Sequence, residues 1–367
     1  MIRNQQELKD VCDRLTEEGL ASLDTEFVWR TTNRPLLCLV QLGAQDGTSW
    51  TVDCLTGLGT EPLASLIRNP NVVKVLHDAH QDLDHLFHWT GAHPKNVFDT
   101  QLAAAFAGYP AKMSLQKLLF EAIDVGLAKT ETVTDWSQRP LTEAQIAYAL
   151  DDVRYLGSLR DALLEKVDEL GTRAWLEAEC ASYDNPALYG DADPDEVWKR
   201  VKCGRARLDR RGFAILRALA AVREVTAREW NLPKGWLGKD DSLVSMALDA
   251  IDDSKRIRFQ HRLKNRGQRD LLAGFYANAV REALDLPEED LPYNPHPRYI
   301  SEVQDAADKA LEFLKEKAES LHVDAAVIAN RATVTAWIDT PEDDSNPLAQ
   351  GWRYEVAGRE IIEKFGV

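Results

Sequence analysis

Three segments of the chain carry carboxylates at spacings that would let them hold a positive charge together. The first, "SLDTEF" at residues 22 to 27, places Asp24 and Glu26 one residue apart after an apolar run. Because alternate side chains of a strand point to the same face, these two acids would repel each other unless a cation lay between them. The segment therefore predicts a strand that presents a cation site.

Two further segments add acids and a phenol. In "VVKVLHDAHQDLDHL", residues 72 to 86, a strand-like run leads into a helical pattern that contains Asp78, Asp82 and Asp84. In "LTEAQIAYALDDVRYL", residues 141 to 156, Tyr148 and Asp152 are four residues apart, so they lie one turn apart on one face of a helix. These side chains are candidates for the same site.

The elements that must position these residues change in type along the chain. After an opening helix come the strand-like runs "LASLDTEF", "LLCLVQLGA" and "TSWTVDCL", with "QDG" as a hairpin turn between the last two, and then helical patterns with the short strand "VVKVLH". This order predicts a mixed sheet flanked by helices within the first 165 residues or so. From about residue 170 every periodic segment is helical.

The charge of the chain is divided unevenly. The length of 367 residues allows two or three domains, and the net charge of −16 argues at first against a nucleic-acid partner, because an acidic surface repels phosphate. Residues 199 to 284, however, contain 20 Lys and Arg against 10 Asp and Glu, so this block carries +10 and the remainder −26. The block favours contact with phosphate.

Other features of the composition exclude several classes of protein. The five cysteines are scattered without a Cys-x-x-Cys pair, which indicates neither a disulfide framework nor a zinc thiolate site. No apolar run approaches the roughly 18 residues of a membrane span, and the amino terminus is polar, so we expect a cytoplasmic protein without a membrane partner. The run "TGLGTEP" lacks the third glycine of a dinucleotide loop, so no nucleotide cofactor is indicated.

Three motifs in order carry a family resemblance. They are "LDTEF", then "LHDAHQDLDHL" followed by "VFDTQLAAAFAG", and then "TDWSQRPLTEAQIAYALDDVRYL". With these motifs the first 165 or so residues resemble ribonuclease D, of the DEDDy branch of 3′→5′ exonucleases. The resemblance implies an α/β ribonuclease H-like exonuclease domain, with a mixed sheet flanked by helices, followed by two all-α HRDC-type domains.

The resemblance also implies roles for individual residues. The metal-site acids and the fifth catalytic residue would be Asp24, Glu26, Asp82, Asp152 and Tyr148. Two divalent metal ions, Mg²⁺ or Mn²⁺, would be held there, since these hard cations prefer carboxylate oxygens. Such a pair of ions clamps the attacking and leaving oxygens of a displacement at phosphorus, and the tyrosine would orient the attacking water.

The same resemblance predicts the RNA contacts and the partners. Trp136 and Arg139 would line the exit path of the RNA strand, and Arg223, in the basic block, would contact RNA as well. The implied enzyme is a monomeric 3′→5′ exoribonuclease that trims the 3′ extensions of tRNA precursors and other structured RNAs, and the implied products are nucleoside 5′-monophosphates.

The helical remainder predicts further modules. The run "FAILRALAAVREVTAREWNLPKGWLGKDDSLVSMA" resembles an HRDC domain, and the end of the chain resembles a second helical module of the same family. The expected division is an exonuclease domain at 1–170, a helical linker at 171–204, the first HRDC domain at 205–285, a Pro- and acid-rich linker at 286–299, and a second HRDC-like domain at 300–367.

Alternatives to this interpretation remain open at the level of sequence. Five histidines crowd into 17 residues, which could indicate a zinc site or a His-Asp metal phosphohydrolase, although the latter requires an all-helical domain; they are His77, His80, His85, His88 and His93. A nucleic-acid binding protein with an inactive exonuclease fold would lack at least one of the four acids or the tyrosine, and all five are present. A DNA 3′→5′ exonuclease would share the five residues but not the HRDC module.

Overall fold

The computed structural model describes residues 1–127, 134–203, 208–251, 259–294 and 299–366. The chain forms two compact units. The first contains Met1–Val28, Leu37–Gly190 and Tyr299–Val367, and the second contains Trp29–Leu36 and Asp191–Arg298. The expected start of an HRDC domain at residue 205 lies outside the described residues, and the predicted domain boundaries remain predictions.

A five-stranded mixed sheet forms the centre of the first unit. Its strands are β1 (Leu20–Val28), β2 (Leu36–Gly43), β3 (Ser49–Asp53), β4 (Val73–Leu76) and β5 (Val97–Asp99). They lie in the order β3-β2-β1-β4-β5, with β2 antiparallel to β3 and with β4 parallel to both β1 and β5. The predicted mixed sheet and the hairpin between β2 and β3 are confirmed. The expectation of four strands missed β5, because three residues are too short to show a period.

Helices flank this sheet along the described residues of the first half of the chain. They are α1 (Gln5–Glu18), α2 (Glu61–Arg68), α3 (His80–Thr90), α4 (Thr100–Phe106), α5 (Leu115–Ile123), α6 (Glu143–Arg154), α7 (Leu156–Glu169) and α8 (Arg173–Ala181). The opening helix shows how local sequence defines these ends. Asn4 accepts a hydrogen bond from the backbone N–H of Glu7 at the start of α1, and Gly19 ends the helix at φ 72°, a conformation that glycine adopts without strain.

The central position of β1 is set by burial on both sides. Ala21 and Leu23 are fully buried in an apolar cluster that also contains residues of α1, α2 and α3. On the other side of the sheet, Val75 of β4 packs in a second cluster with residues of α4, α5 and α7. Since apolar side chains cover the sheet on both sides, a polar group on β1 can reach solvent only near the end of the strand. Asp24 and Glu26 lie beyond the residues Leu20–Ser22 through which β1 pairs with β4.

The second unit is helical in its described residues. It contains α9 (Arg210–Glu229), α10 (Lys234–Leu237), α11 (Asp240–Ala250) and α12 (Arg266–Leu284). These helices enclose an apolar cluster around Phe213, Leu219 and Leu243. The segment Trp29–Leu36, which joins β1 to β2, is part of this unit: the backbone N–H of Asn33 donates to the side-chain oxygen of Asn231 at 3.1 Å.

The last helices of the chain return to the first unit. They are α13 (Ser301–Leu321), α14 (Ala325–Ile328), α15 (Arg331–Asp339), α16 (Gly351–Arg353) and α17 (Arg359–Phe365). Their buried side chains, such as those of Ala307 and Leu314, belong to the same apolar cluster as Phe106 of α4 and Leu163 of α7. The segment predicted as a second HRDC-like domain therefore shares a core with the exonuclease fold.

In the described parts of the chain, no helix has the length and apolar character that crossing a membrane requires.

Candidate active site

Three carboxylates from two elements meet at the end of β1. Asp24 and Glu26 point to the same side of the strand, and Asp152 reaches them from α6. One oxygen from each of the three lies within 4.8 Å of the others. Among the described residues, this is the one group of three or more His, Cys, Asp or Glu side chains close enough to share a metal ion. Of the four acids predicted to hold metal ions, Asp24, Glu26 and Asp152 form this group.

The fourth predicted acid, Asp82, lies beside this group rather than inside it. It is in the first turn of α3, and its carboxylate accepts a hydrogen bond from the hydroxyl of Thr25. Asp82 is still close enough to raise the pKa of Asp24, as do Glu26 and Asp152. Thr25 was not predicted as a site residue. No sequence signal pointed to Thr25, since a residue between the two acids of "DTE" faces the other side of the strand.

Burial and mutual repulsion raise the pKa values of these acids. Burial, followed by the charges of its three acidic neighbours, raises the pKa of Asp24 well above its ordinary value. Burial together with Asp152 and Asp82 raises the pKa of Glu26 to about 8. Burial with Asp151 and Asp82 raises that of Asp152 to about 7. Burial of a charged carboxylate has a large desolvation free energy unless a positive charge compensates it.

Burial also raises the pKa of Asp82. The carboxylate oxygens of the group are suitable ligands for divalent cations. Burial raises the pKa of Asp82 to about 6, although the hydrogen bond from Thr25 lowers it. The cluster offers carboxylate oxygens only, the ligands that Mg²⁺ and Mn²⁺ prefer, with no thiolate or imidazole within the group. Divalent cations would also supply the positive charge that these buried acids lack.

Tyr148 lies one helical turn before Asp152 and is half-buried. Burial raises the pKa of its phenol, and the charges of Asp152, Glu26 and Asp24 raise it further, so the group remains a neutral phenol at physiological pH. A neutral phenol donates or accepts a hydrogen bond but does not act as a base. This agrees with the predicted role in orienting water.

The helix that carries both residues is fixed at its start and along its length. Thr142 and Gln145 form a capping box, in which the Gln145 N–H donates to the Thr142 hydroxyl at 3.2 Å and the Thr142 N–H donates to the Gln145 side chain at 2.8 Å. Farther along, Val153 lies over Gly43 at the end of β2, where only a residue without a Cβ leaves room for the helix. These contacts determine how near Asp152 comes to β1.

Asp99 holds the turn that leads into α3. Its buried carboxylate caps α4 by accepting from the N–H groups of Gln101 and Leu102. It also accepts from the N–H groups of Asp78 at 3.1 Å and Ala79 at 3.0 Å. One buried acid therefore orients the residues immediately before α3, the helix that presents Asp82.

Of the two predicted RNA contacts in this loop, Trp136 is buried and Arg139 is partly buried. The indole of Trp136 is 7% exposed and stacks on the ring of Tyr148, with 6.1 Å between the ring centroids. The guanidinium of Arg139 binds Asp53 through two hydrogen bonds of 2.6 and 2.7 Å. Both side chains are therefore engaged by the protein itself, and this geometry favours a role in positioning over contact with phosphate.

Arg223 is engaged in a similar way in the second unit. Its guanidinium donates to the carboxylate of Asp240 at 2.9 Å and to the carbonyl of Gly238 at 3.1 Å, and its side chain is 11% exposed. Such a buried pair fixes the start of α11 on α9. The proposed contact between Arg223 and RNA finds no support in this arrangement.

The histidine cluster does not form a metal site among the described residues. His77 hydrogen-bonds to the hydroxyl of Thr100 at 2.9 Å and to the carbonyl of Met113 at 3.0 Å. His85 packs edge-on against Phe27, and His93 packs against another aromatic ring. The segment lies in a mixed α/β unit, which also argues against the all-helical phosphohydrolase.

Comparison with known proteins gives relatives along almost the whole chain. Residues 1–168 match the model of the 3′-5′ exonuclease domain. Over 366 residues the chain is 36% identical to the ribonuclease D of Desulfotalea psychrophila. The match covers 97% of this chain and 95% of that protein. The chain belongs to the ribonuclease D family. The ribonuclease D of Gluconacetobacter diazotrophicus is 34% identical over 367 residues, covering 99% of this chain and 91% of that protein.

The fold agrees with the same family along the whole chain. The crystal structure of Escherichia coli RNase D, an exoribonuclease involved in structured RNA processing, matches with a TM-score of 0.83 at 26% identity and covers 100% of this chain and 99% of that one. This member of the ribonuclease D family is a 3′→5′ exoribonuclease, as the sequence predicted. The alternative of an inactive binding protein has no support in these comparisons.

Proposed function

We propose that this ribonuclease D uses two divalent metal ions, Mg²⁺ or Mn²⁺, to remove nucleotides one at a time from the 3′ end of RNA. The products are nucleoside 5′-monophosphates, and the substrates are tRNA precursors and other structured RNAs with 3′ extensions. The observation that carries the proposal is the group formed by Asp24, Glu26 and Asp152, whose oxygens lie within 4.8 Å of one another. All catalytic residues come from one chain, which supports action as a monomer.

The position of each acid suggests which cation it would hold. Asp24, whose pKa is raised by all three of its acidic neighbours, would be shared by the two cations. Glu26 and Asp152 would also hold the first cation. Asp82, which lies outside the group of three, would hold the second cation. When bound, divalent cations supply Lewis-acid stabilisation of charge on the phosphate and on the attacking and leaving oxygens.

Side chains of the site orient the attacking water and the carboxylate of Asp82. A water molecule attacks the terminal phosphodiester, the bond from phosphorus to the 3′ oxygen of the preceding nucleotide breaks, and the shortened RNA keeps a 3′-hydroxyl. The phenol of Tyr148 holds the water in line by a hydrogen bond, because its raised pKa keeps the proton on the phenol. Thr25 keeps the carboxylate of Asp82 in one orientation during the reaction.

RNA binding is proposed to depend on the basic block of the second unit. Its buried arginines, such as Arg223, are committed to internal ion pairs. The exposed cations Arg262 and Lys264 precede α12, and the exposed Arg266 begins it, where the N-terminal end of the helix dipole adds positive potential. These three side chains are therefore the better candidates for contact with the RNA backbone.

An assay of the purified protein tests the whole proposal. A tRNA with a short 3′ tail, labelled at its 5′ end, is incubated with Mg²⁺, with Mn²⁺ and with a chelator, and the released nucleotides are separated by chromatography. We expect stepwise shortening and nucleoside 5′-monophosphates only when a divalent cation is present. Binding without shortening would support the inactive protein, and faster shortening of a DNA strand of the same sequence would support the DNA exonuclease.

A further inference from the structure

The guanidinium of Arg139 uses every hydrogen-bond donor that it has inside the protein. Nε and one Nη donate to the two carboxylate oxygens of Asp53 at 2.6 and 2.7 Å. The other bonds go to backbone carbonyls: Cys38 at 3.2 Å, Trp136 at 2.7 Å and Gln138 at 2.7 Å. Since a guanidinium has five N–H donors, none remains for a phosphate. Arg139 therefore joins the loop before α6 to β2 and β3.

One of these carbonyls belongs to the residue that covers Tyr148. The indole of Trp136 stacks on the phenol ring with an interplanar angle of 27°. The backbone of Trp136 is held by Arg139, and Arg139 is held by Asp53, a buried residue at the end of β3. The contacts form a continuous series from the sheet to the phenol.

The phenol ring needs such a restraint. A tyrosine side chain rotates about two bonds, and the hydroxyl lies at its far end, so a small rotation moves the hydroxyl by a large distance. A displacement of about 1 Å in a catalytic group lowers the rate by a factor on the order of 10². Of the described residues, Trp136 is the one whose aromatic ring contacts the ring of Tyr148.

We propose that Asp53, Arg139 and Trp136 act together as positioning residues that hold the phenol of Tyr148 in its catalytic orientation. This inference rests on the proposed function of Tyr148. It replaces the expectation that Trp136 and Arg139 contact RNA directly. Each of the three residues acts through its neighbour, and none of them touches the reacting phosphate.

A double-mutant cycle separates positioning from RNA contact. Trp136→Leu in the wild type should lower kcat about tenfold and leave KM within about twofold, whereas Trp136→Phe should retain most of the activity because it keeps an aromatic ring. In the Tyr148→Phe background the same Trp136→Leu change should cost less than about twofold, since the hydroxyl is already lost. An equal loss in both backgrounds, or an increase in KM, would overturn the proposal.

A matched arginine controls for loss of stability. Arg353 binds both carboxylate oxygens of Glu179 and two backbone carbonyls in the first unit, much as Arg139 binds Asp53. Arg139→Gln and Arg353→Gln should lower Tm by similar amounts, but only Arg139→Gln should lower kcat, by about tenfold. Equal kcat values in two variants of equal Tm would contradict the proposal.

A measurement without catalysis separates this inference from the role of Tyr148. Protein with ¹³C-labelled tyrosine rings gives one NMR signal for Tyr148, which is assigned by its absence in Tyr148→Phe. Arg139→Gln should shift that signal although Arg139 does not touch the phenol, and Arg353→Gln should not. An unchanged signal in Arg139→Gln would overturn the positioning series. If the signal shifts but Tyr148→Phe keeps full kcat, the series stands and the catalytic role of Tyr148 fails.

Discussion

Gly43 on β2 lies directly beneath Val153 on α6. A Cβ at residue 43 would lie 2.8 Å from the carbonyl oxygen of Val153 and 3.0 Å from the Cβ of Ser22. Neither neighbour is the far end of a flexible side chain, so a Cβ at residue 43 would fit only if the backbone of α6 or of β1 moved. Because Val153 follows Asp152 directly, this contact links the packing of the helix to the geometry of the acid group.

Gly43→Ala should therefore impair both stability and activity. We expect the free energy of unfolding to fall by about 1–3 kcal/mol, the usual cost of overpacking, and kcat to fall because Asp152 is displaced from Asp24. Thermal unfolding and single-nucleotide release measure the two effects. Gly126→Ala is the control, since a Cβ there meets nothing within 4 Å. A variant with lower stability but unchanged kcat would show that the helix position does not limit the site.

Asp24→Asn should abolish hydrolysis and leave the fold intact. The substitution keeps the volume of the side chain but removes the charge of the ligand that the two cations are proposed to share, which should cost several kcal/mol of transition-state stabilisation. Asp151→Asn is a suitable control, because Asp151 is paired with Arg154 and is not part of the acid group. Residual activity above about a tenth of wild type would exclude the proposed role of Asp24.

Tyr148→Phe should lower kcat by a factor on the order of 10² with little change in KM. The ring and its stacking on Trp136 remain, so only the hydrogen bond to the attacking water is lost. Rates at saturating and limiting RNA concentration distinguish the two parameters. If KM increased and kcat did not change, Tyr148 would be a binding residue.

The stability of the metal-free protein should decrease as pH rises. The folded-state pKa values of Asp82, Asp152 and Glu26 are about 6, 7 and 8, all above the unfolded values near 4. Acids that bind protons more tightly when folded stabilise the protein below their unfolded pKa, and this stabilisation is lost as pH rises through the folded values. Tm in a chelator should therefore fall between about pH 5 and pH 8.

Divalent cations should reverse this trend, because they replace the protons. The increase of Tm on addition of Mg²⁺ should be larger at pH 8 than at pH 5. Asp152→Asn should flatten the decrease seen in the chelator, whereas Asp84→Asn, an acid outside the group, should not. Parallel curves for the wild type and Asp152→Asn would show that the acid group does not cause the pH dependence.

Removal of the exposed cations at the start of α12 should weaken RNA binding and its dependence on salt. For a single strand the slope of log K against log[salt] is roughly −0.7 per phosphate neutralised, so the variant Arg262→Ala/Lys264→Ala/Arg266→Ala should have a slope smaller by up to about 2. Cleavage of a short single strand at saturating concentration should persist, since the five proposed catalytic residues precede residue 153. An unchanged slope would exclude these side chains as phosphate contacts.

Point substitutions suit this test better than truncation. A chain that ends near residue 195 would lose α13 to α17, whose apolar side chains share a core with α4 and α7. Such a truncation would expose that core, and any loss of activity could follow from unfolding. Arg217→Ala provides a control from the same basic block, because Arg217 is only partly exposed and lies on α9.

The sequence by itself determined which face of its strand or helix each candidate site residue occupies. Asp24 and Glu26 share one face of a strand, and Tyr148 and Asp152 share one face of a helix, because the periods of these elements are set by local backbone geometry. The order of the motifs indicated the family, and the comparisons confirmed it. The capping role of Asp99 could also be predicted, since a cap depends on neighbouring residues.

Only the tertiary structure decided which side chains have partners far along the chain. Arg139 and Asp53 are 86 residues apart, and their pairing turns a predicted RNA contact into an internal anchor. The bond between Thr25 and Asp82 and the shared core of the last helices were equally invisible in the sequence. Local patterns indicate which face a residue occupies, but the partner on that face depends on how distant elements pack, and no period in the sequence records that packing.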